Sequence, residues 1–510
     1  MSLSMLRSRA LLGLEAPAVT VEVHLASGLP SFTLVGLAET EVKEARERVR
    51  SAIQNSGLEF PNNKRITVNL APADLPKDSG RFDLPIAIGI LAASGQIQGA
   101  ELGAWEFAGE LSLSGQLRPV RGALAMSLAL HGAGIESRLV LPMESAEEAA
   151  LVPCSQVYGA RHLLDVVRQF LPNAALDGPP QDGWRRVTVT PQPASCAGPD
   201  LADVRGQSAA KRALEIAAAG GHSLLMVGPP GTGKSMLAQR FAGLLPPMTV
   251  PEALQSAAVA SLGGRFRLEH WARRPTCSPH HSASAVALVG GGSPPRPGEV
   301  SLAHHGVLFL DELPEFPRAA LEALREPLES GSITVSRAAR RAEFPARFQL
   351  IAAMNPCPCG YLGSSQRRCR CSPDQVSRYQ GRLSGPLLDR IDLHVEVPPL
   401  APEELLAAPS GEGSEAIRQR CLQARQRAME RQGVPNQGLQ GRAIDQHLAL
   451  EDDARRFLNL AAARLGWSAR STHRALKVAR TVADLQGSAA TQIRHVAEAM
   501  QYRRALHPSL

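Results

Sequence analysis

Three groups of residues in this chain have the types and spacing to do chemistry. Gly228, Pro229, Pro230, Gly231, Thr232, Gly233, Lys234 and Ser235 fill the pattern G-x-x-x-x-G-K-[ST]. Small residues in such a turn let backbone N–H groups wrap a triphosphate, while the lysine reaches the β and γ oxygens and the hydroxyl ligates Mg²⁺. Residues 224–227 before the turn are apolar and read as a buried strand, and 236–245 after it read as a helix. That helix would point its positive dipole end at the same phosphates. A second apolar run, 307–310, ends in Asp311 and Glu312. At a strand end Asp311 would hold Mg²⁺ together with Ser235, directly or through water, and Glu312 would polarise the attacking water. A third apolar run, 348–354, ends in Asn355. Its amide suits a hydrogen bond near the γ-phosphate, the alternative being a turn-forming Asn before Pro356. ATP and Mg²⁺ are the expected ligands.

The third group is a set of thiols. Cys357 and Cys359 form one C-x-C pair, and Cys369 and Cys371 form a second across nine residues. Two close pairs joined by a short loop present four thiolates to Zn²⁺ in a tetrahedron, although the usual structural spacing is C-x₂-C. Reduced, unliganded thiols are the alternative. Arg367, Arg368 and Arg370 would favour thiolate formation and offer phosphate contacts. Cys154, Cys196, Cys277 and Cys421 are dispersed, and the pairs His280-His281 and His304-His305 read as polar loop residues.

These groups need large folded domains to position them, and 510 residues give room for about three or four. Hydrophobic content of 44% and charged content of 20% are those of an ordinary globular protein. Aromatics make up only 4%, so base stacking would not dominate a nucleic-acid contact, and a net charge of +7 is mild for this length. No apolar run approaches the ~18 residues a membrane span needs. Glu15, Glu22 and His24 interrupt any leader-like apolar core. The expected location is the cytoplasm, where cysteines stay reduced or bind metal.

Along the first 170 residues short apolar runs alternate with polar turns. Residues 19–25 and 66–70 alternate as strands, 41–54 and 122–130 read as helices, 84–94 as a buried helix, and 139–141 as a strand. With Pro76-Lys77-Asp78 and the Gly109–Pro119 segment, this order resembles the proteolytic domain of Lon proteases, a ribosomal S5 domain 2-like α/β fold. The resemblance fails at the chemistry. Arg81 falls where the nucleophilic serine would be and Leu124 where the lysine would be, and a serine without its base is not activated. The expected division is a Lon-protease-like domain lacking the catalytic dyad at 1–171, a Pro/Gly-rich linker at 172–202, an ATPase core at 203–399 and a helical segment at 400–510.

From residue 203 on, the chain resembles AAA+ ATPases. Residues 203–207, ending in Gln207, match the segment that flanks the adenine. Stretches 283–306 and 332–347 resemble the helix-2 insert and pre-sensor-1 β-hairpin of MCM helicases and magnesium chelatase motors. In those helicases both hairpins line a ring's pore. Arg337, Arg340 and Arg341 at the second tip would contact phosphates, or else form an ordinary solvated turn. Residues 385–392 resemble the segment supplying an arginine finger, so Arg390 would reach a neighbouring subunit's γ-phosphate; a local salt bridge is the alternative. Arg474 fits the second sensor, acting in cis, with Arg470 and Arg480 as rivals. Residues from 400 on match the helical lid, and the basic, Gln-rich 424–441 stretch reads as a solvated face.

With the cysteine pairs directly after Asn355, the chain resembles the magnesium chelatase-like ComM/YifB family along nearly its whole length. That resemblance implies an ATP-driven homo-hexameric DNA helicase with no membrane association. It would act on single-stranded, forked or branched DNA, driving branch migration and strand integration in natural transformation and homologous recombination. Two other classes stay open. One is a chelatase-type motor subunit remodelling a protein partner, a family expected to lack the Lon-like domain and the cysteine pairs. The other is an ATP-dependent protease, disfavoured by Arg81 and Leu124.

Overall fold

The computed structural model describes residues 3–36, 40–75, 77, 80–171, 183–189, 198–292, 295–337, 340–364, 367–401, 403 and 411–503. Pro76, Asp78, Ser79 and Cys196 therefore lie outside the described residues, as does most of the 172–202 stretch.

The N-terminal part is built on a mixed eight-stranded sheet. Its strands run in the order Trp184–Arg186, Val157–Ala160, Arg138–Pro142, Trp105–Phe107, Leu3–Arg9, Ala18–Ala26, Arg65–Ala71 and Ser31–Val35. Helix Asp83–Ala93 is apolar on every side and buried along nearly its whole length, packing against the Leu3–Arg9 and Ala18–Ala26 strands. Its burial accounts for its composition, since a helix hydrophobic all round has no solvent face. A buried pair, Arg9 Nε to Glu106 Oε2 at 2.7 Å, ties two adjacent strands. One strand, Trp184–Arg186, comes from the stretch expected to be linker. It pairs antiparallel with Val157–Ala160, and Trp184 stacks on Tyr158 with ring centroids 5.3 Å apart. The N-terminal sheet thus takes a strand from beyond residue 171.

The second part carries a five-stranded, wholly parallel sheet in the order Thr276–Cys277, Val307–Leu310, Gln349–Met354, Leu224–Val227 and Leu393–Glu396. The three inner strands are fully apolar or nearly so, as expected of strands covered on both faces. Val227 aligns with Met354, and Leu310 with Ala352. The register brings the residues that follow each strand to one edge: the 228–235 turn, Asp311 and Asn355. C-terminal helices Ser414–Gln432, Arg442–His447, Asp452–Arg464, Ala469–Leu485 and Ile493–Gln501 complete the chain. All but Arg442–His447 share one apolar core with the sheet and helix Ser208–Gly220, while Ile444 packs in a smaller cluster with Leu439 and Leu448. Arg480, a rival for the second-sensor role, is buried among these helices, paired with Asp484 at 2.7 Å. Arg425 and Arg427, expected on a solvated face, donate to the carbonyls of Ala219 and Asp484. Among the described residues no helix is long and apolar enough to cross a membrane.

The two parts meet through helix Val250–Leu262, whose Leu254 and Ala258 pack with Leu124, Leu151 and Val152. Leu124, at the position of a Lon lysine, is thus a packing residue. At the rim Ser261 Oγ donates to Glu148 Oε1 at 2.9 Å and accepts from the Gly122 N–H at 3.1 Å. Burial pushes the Glu148 carboxyl up to about 7. A raised carboxyl pKa means the folded state holds a proton that the unfolded state releases, so this contribution is complete below the ordinary pKa and lost as pH rises through 7. Glu148→Gln is accordingly expected to stabilise the protein at pH 8 by on the order of 1–3 kcal/mol, with little effect at pH 5. Denaturant unfolding at the two pH values measures it.

Candidate functional site

The turn after Leu224–Val227 is shaped by its glycines. Gly231 and Gly233 take the left-handed φ values +81° and +90°. At Gly228 a Cβ would sit 2.2 Å from the Val397 carbonyl oxygen, so only glycine fits there. Helix Lys234–Phe241 begins directly at the turn, leaving its first N–H groups free of intrahelical partners. Thr232 Oγ1 donates to Pro229 O at 3.0 Å, bracing the curve. Gln207, buried and itself left-handed at φ 53°, donates to Thr232 O at 3.3 Å and to Pro398 O at 2.8 Å. The segment expected beside the adenine therefore does touch the turn.

Around it the three strand ends converge. Lys234 Nζ donates to Gly228 O at 2.7 Å, Pro229 O at 2.8 Å and Asn355 Oδ1 at 3.3 Å. Burial lowers its ammonium below the usual lysine range, opposed by the Asp311 and Glu312 carboxylates. Ser235 Oγ donates to Asp311 Oδ2 at 2.6 Å. One hydroxyl and one carboxylate beside the backbone N–H groups of the 231–235 turn form a donor set that fits a Mg²⁺–nucleotide. Glu312 follows at φ 52°, a left-handed conformation costing a non-glycine residue on the order of 1 kcal/mol. Its N–H bonds Asp311 Oδ1 at 2.9 Å, which fixes where the carboxylate projects.

One partner of this site is unexpected. His281 Nδ1 lies 3.0 Å from Glu312 Oε2, so a histidine that reads from sequence as a polar loop residue holds the carboxylate expected to act on water. The pairing depends on how the chain returns after Thr276–Cys277, and two adjacent histidines carry no spacing signal for it.

The arginines fall elsewhere. Asp392 immediately precedes strand Leu393–Glu396, whose Leu393 aligns with Leu224. That is the opposite end of the parallel sheet from Gly228, about 13 Å of strand away. There Arg474 bonds Asp392 Oδ1 at 2.6 Å and Arg390 O at 2.7 Å. Asp392 thus anchors Arg474, expected to act in cis, beside the sheet edge opposite the 228–235 turn. Arg390 is 6% exposed, paired with Glu329 Oε2 at 2.7 Å and donating to Pro386 O at 2.6 Å. Arg470 shares Glu329. Asp392 is held well below the usual carboxylate range, its burial overcome by His222 and Arg474.

The two expected hairpins are present as backbone. Gly290–Gly291 pairs with Arg296–Pro297, and Ser332–Arg337 with Arg340–Pro345, Arg337 facing Arg340 across the turn. The short hairpin packs beside the first strand of the longer one. The side chains of Arg337, Arg340 and Arg341 lie outside the described residues.

The four cysteines after Asn355 do converge. Cys357 Sγ is 3.4 Å from Cys359 Sγ and 3.6 Å from Cys369 Sγ, Cys359 Sγ is 3.5 Å from Cys369 Sγ, and all four sulfurs lie within 4.8 Å of one another. Sulfurs around a tetrahedral Zn²⁺ at about 2.3 Å sit about 3.8 Å apart, so the set fits that ion. Backbone N–H groups of Arg370 and Tyr361 pull the Cys359 thiol down to about 6, and burial pushes Cys357 up to about 12. The guanidinium groups expected from the sequence to favour the thiolates are not the main cause.

Comparison with known proteins agrees with this architecture. Residues 200–405 match the family described as Magnesium chelatase, subunit ChlI; residues 21–145 match Subunit ChlI of Mg-chelatase; and residues 411–503 match the ChlI C-terminal family. Competence protein ComM of Haemophilus influenzae is 52% identical over 509 residues, 99% of this chain and 98% of its own length. The YifB protein of Escherichia coli is 49% identical over 507 residues, 99% and 97% of the two chains. The 38 kDa magnesium-chelatase subunit of Rhodobacter capsulatus is 28% identical over 222 residues, 39% of this chain and 55% of its own. With the glycine-rich turn facing a carboxylate pair, and 52% and 49% identity to the ComM and YifB relatives over 99% of its length, the chain belongs to the magnesium chelatase-like ComM/YifB family of ATPases.

Proposed function

We propose that the chain is the subunit of a homo-hexameric, ATP-driven DNA motor, a helicase that drives branch migration on forked or branched DNA. The observation that carries this reading is the pair of hairpins at 290–297 and 332–345, lying side by side and inserted between the ATPase residues Ser235, Asp311 and Asn355. Nucleotide-dependent movement of Asp311 or Asn355 has a short path into both hairpins. The competence function named for the Haemophilus influenzae relative supports a role in integrating single-stranded DNA during natural transformation and recombination.

In this mechanism the backbone of 228–233 and Lys234 bind the β and γ phosphates, with Gln207 closing the turn from behind. Ser235 and Asp311 would hold the Mg²⁺ that accompanies the nucleotide, and that ion would supply charge neutralisation at the phosphate oxygens. Glu312 orients and deprotonates water, and Asn355 bonds near the γ-phosphate. The partners of Arg390 and Arg474 lie toward the sheet edge opposite their own loop, which supports donation to the neighbouring subunit's nucleotide, and the C-terminal helices act as the lid. Cys357, Cys359, Cys369 and Cys371 hold a structural Zn²⁺.

ATP hydrolysis with and without forked DNA tests the reading. Stimulation by DNA is expected; a rate indifferent to DNA would oppose it. Arg340→Ala with Arg341→Ala should weaken DNA binding and lower the slope of log K against log salt by about 2, one for each phosphate no longer neutralised. Loss of ADP binding in the same variant would instead make the hairpin structural.

A protein-remodelling motor of the chelatase type is the second reading, favoured by the three ChlI family matches. The N-terminal domain does not separate the two, contrary to expectation, because residues 21–145 themselves match a family described as a chelatase subunit. DNA stimulation separates them.

A further inference from the structure

The cysteine loop is in contact with the phosphate turn. Gly360, left-handed at φ +84°, presses its backbone on Pro230: a Cβ there would sit 2.6 Å from Pro230 Cδ and 3.8 Å from Asn355 Cγ. Its N–H closes a tight turn onto Cys357 O at 2.9 Å. Cys357 is fully buried two residues beyond Asn355, the residue whose Oδ1 faces Lys234 Nζ. At the other end the loop runs into helix Pro373–Gln380, capped by Ser372 directly after Cys371. Gln380 Nε2 returns to bond Pro356 O at 3.0 Å. Between Met354 and Pro373 the described residues form no helix or strand, so the thiol cluster is the element able to hold this long connection in one shape.

We propose that the metal bound by Cys357, Cys359, Cys369 and Cys371 braces the phosphate turn through Gly360 and Asn355, so that metal occupancy sets nucleotide affinity. This rests on the zinc reading above. A tied loop presents Gly360 to Pro230 and fixes Asn355 against Lys234. An untied loop frees both, and the turn must then be ordered by the nucleotide itself, which weakens binding.

The test measures zinc content and the Kd of a fluorescent ADP analogue on the same full-length samples, with Mg²⁺ present. Wild type is expected to carry about one zinc per chain. Cys359→Ser with Cys371→Ser should lose it and bind the analogue about ten- to hundredfold more weakly. Because that variant could misfold, wild type stripped by a chelator and then resupplied with zinc gives the second arm, and affinity should fall and return. Gly360→Val probes the contact alone, keeping the zinc while weakening the nucleotide. Zinc loss with affinity unchanged within about twofold would overturn the brace and leave the metal site standing. Gly360→Val at wild-type affinity would overturn the contact as its route. Wild type purified without zinc, and taking up none, would overturn the metal reading and the brace with it.

Discussion

Glu312→Gln is expected to reduce ATP hydrolysis by about 10²- to 10⁴-fold, the usual worth of a positioned general base, with nucleotide affinity retained. Glu312 is half-exposed and held in a left-handed backbone conformation by its own N–H bond to Asp311. Gln keeps the shape and the neutral hydrogen bonds but cannot take a proton from water. Lys234, Ser235 and Asp311, proposed to do the binding, make their side-chain hydrogen bonds with one another, the turn, Asn355 or the Glu312 backbone N–H. Phosphate release and binding of a fluorescent nucleotide, measured side by side, separate the two effects. A variant that loses binding and turnover together would show that Glu312 shapes the site and does not act in it.

The second large effect is expected at Arg390. A guanidinium delivered to a phosphoryl transition state is worth about 10³-fold or more. Arg390 lies at the far end of the sheet from its own nucleotide turn, so Arg390→Ala should lower turnover by that order while each chain still binds ATP. The competing account is structural, since Arg390 is buried and paired with Glu329. Glu329→Gln decides between them: it breaks the same pair but leaves the guanidinium, and should spare most activity. A finger in trans also predicts complementation. Mixed with Glu312→Gln chains, Arg390→Ala chains supply an intact Glu312 to sites that receive a wild-type Arg390, so activity should reappear in the mixture. A mixture as inactive as its parts would return Arg390 to a structural role.

Much of this architecture was legible because its chemistry sits at strand ends. Short apolar runs before Gly228, Asp311 and Asn355 read as buried strands, and the structure finds Leu224–Val227, Val307–Leu310 and Gln349–Met354. The buried helix over 84–94 and the strands over 19–25 and 66–70 were readable from apolar content and from alternation. What was not legible depends on how separate segments dock. Trp184–Arg186 lies in a stretch rich in proline and glycine, and it becomes a strand through aromatic packing on Trp105 and Tyr158. Arg474 has the right place in the order of motifs. Which end of the sheet it reaches is set by the C-terminal helices docking on helix Ser208–Gly220. His281 meets Glu312 through the way the segment after Thr276–Cys277 folds back, which no local spacing encodes.

The central claim, that ATP turnover moves DNA strands, is tested most directly by displacement of a labelled strand from a three-stranded DNA substrate. Wild type with ATP and Mg²⁺ is expected to release the strand, while Glu312→Gln binds the substrate and releases none. Wild-type protein that hydrolyses ATP yet releases no strand, on forked and three-stranded substrates alike, would contradict the account.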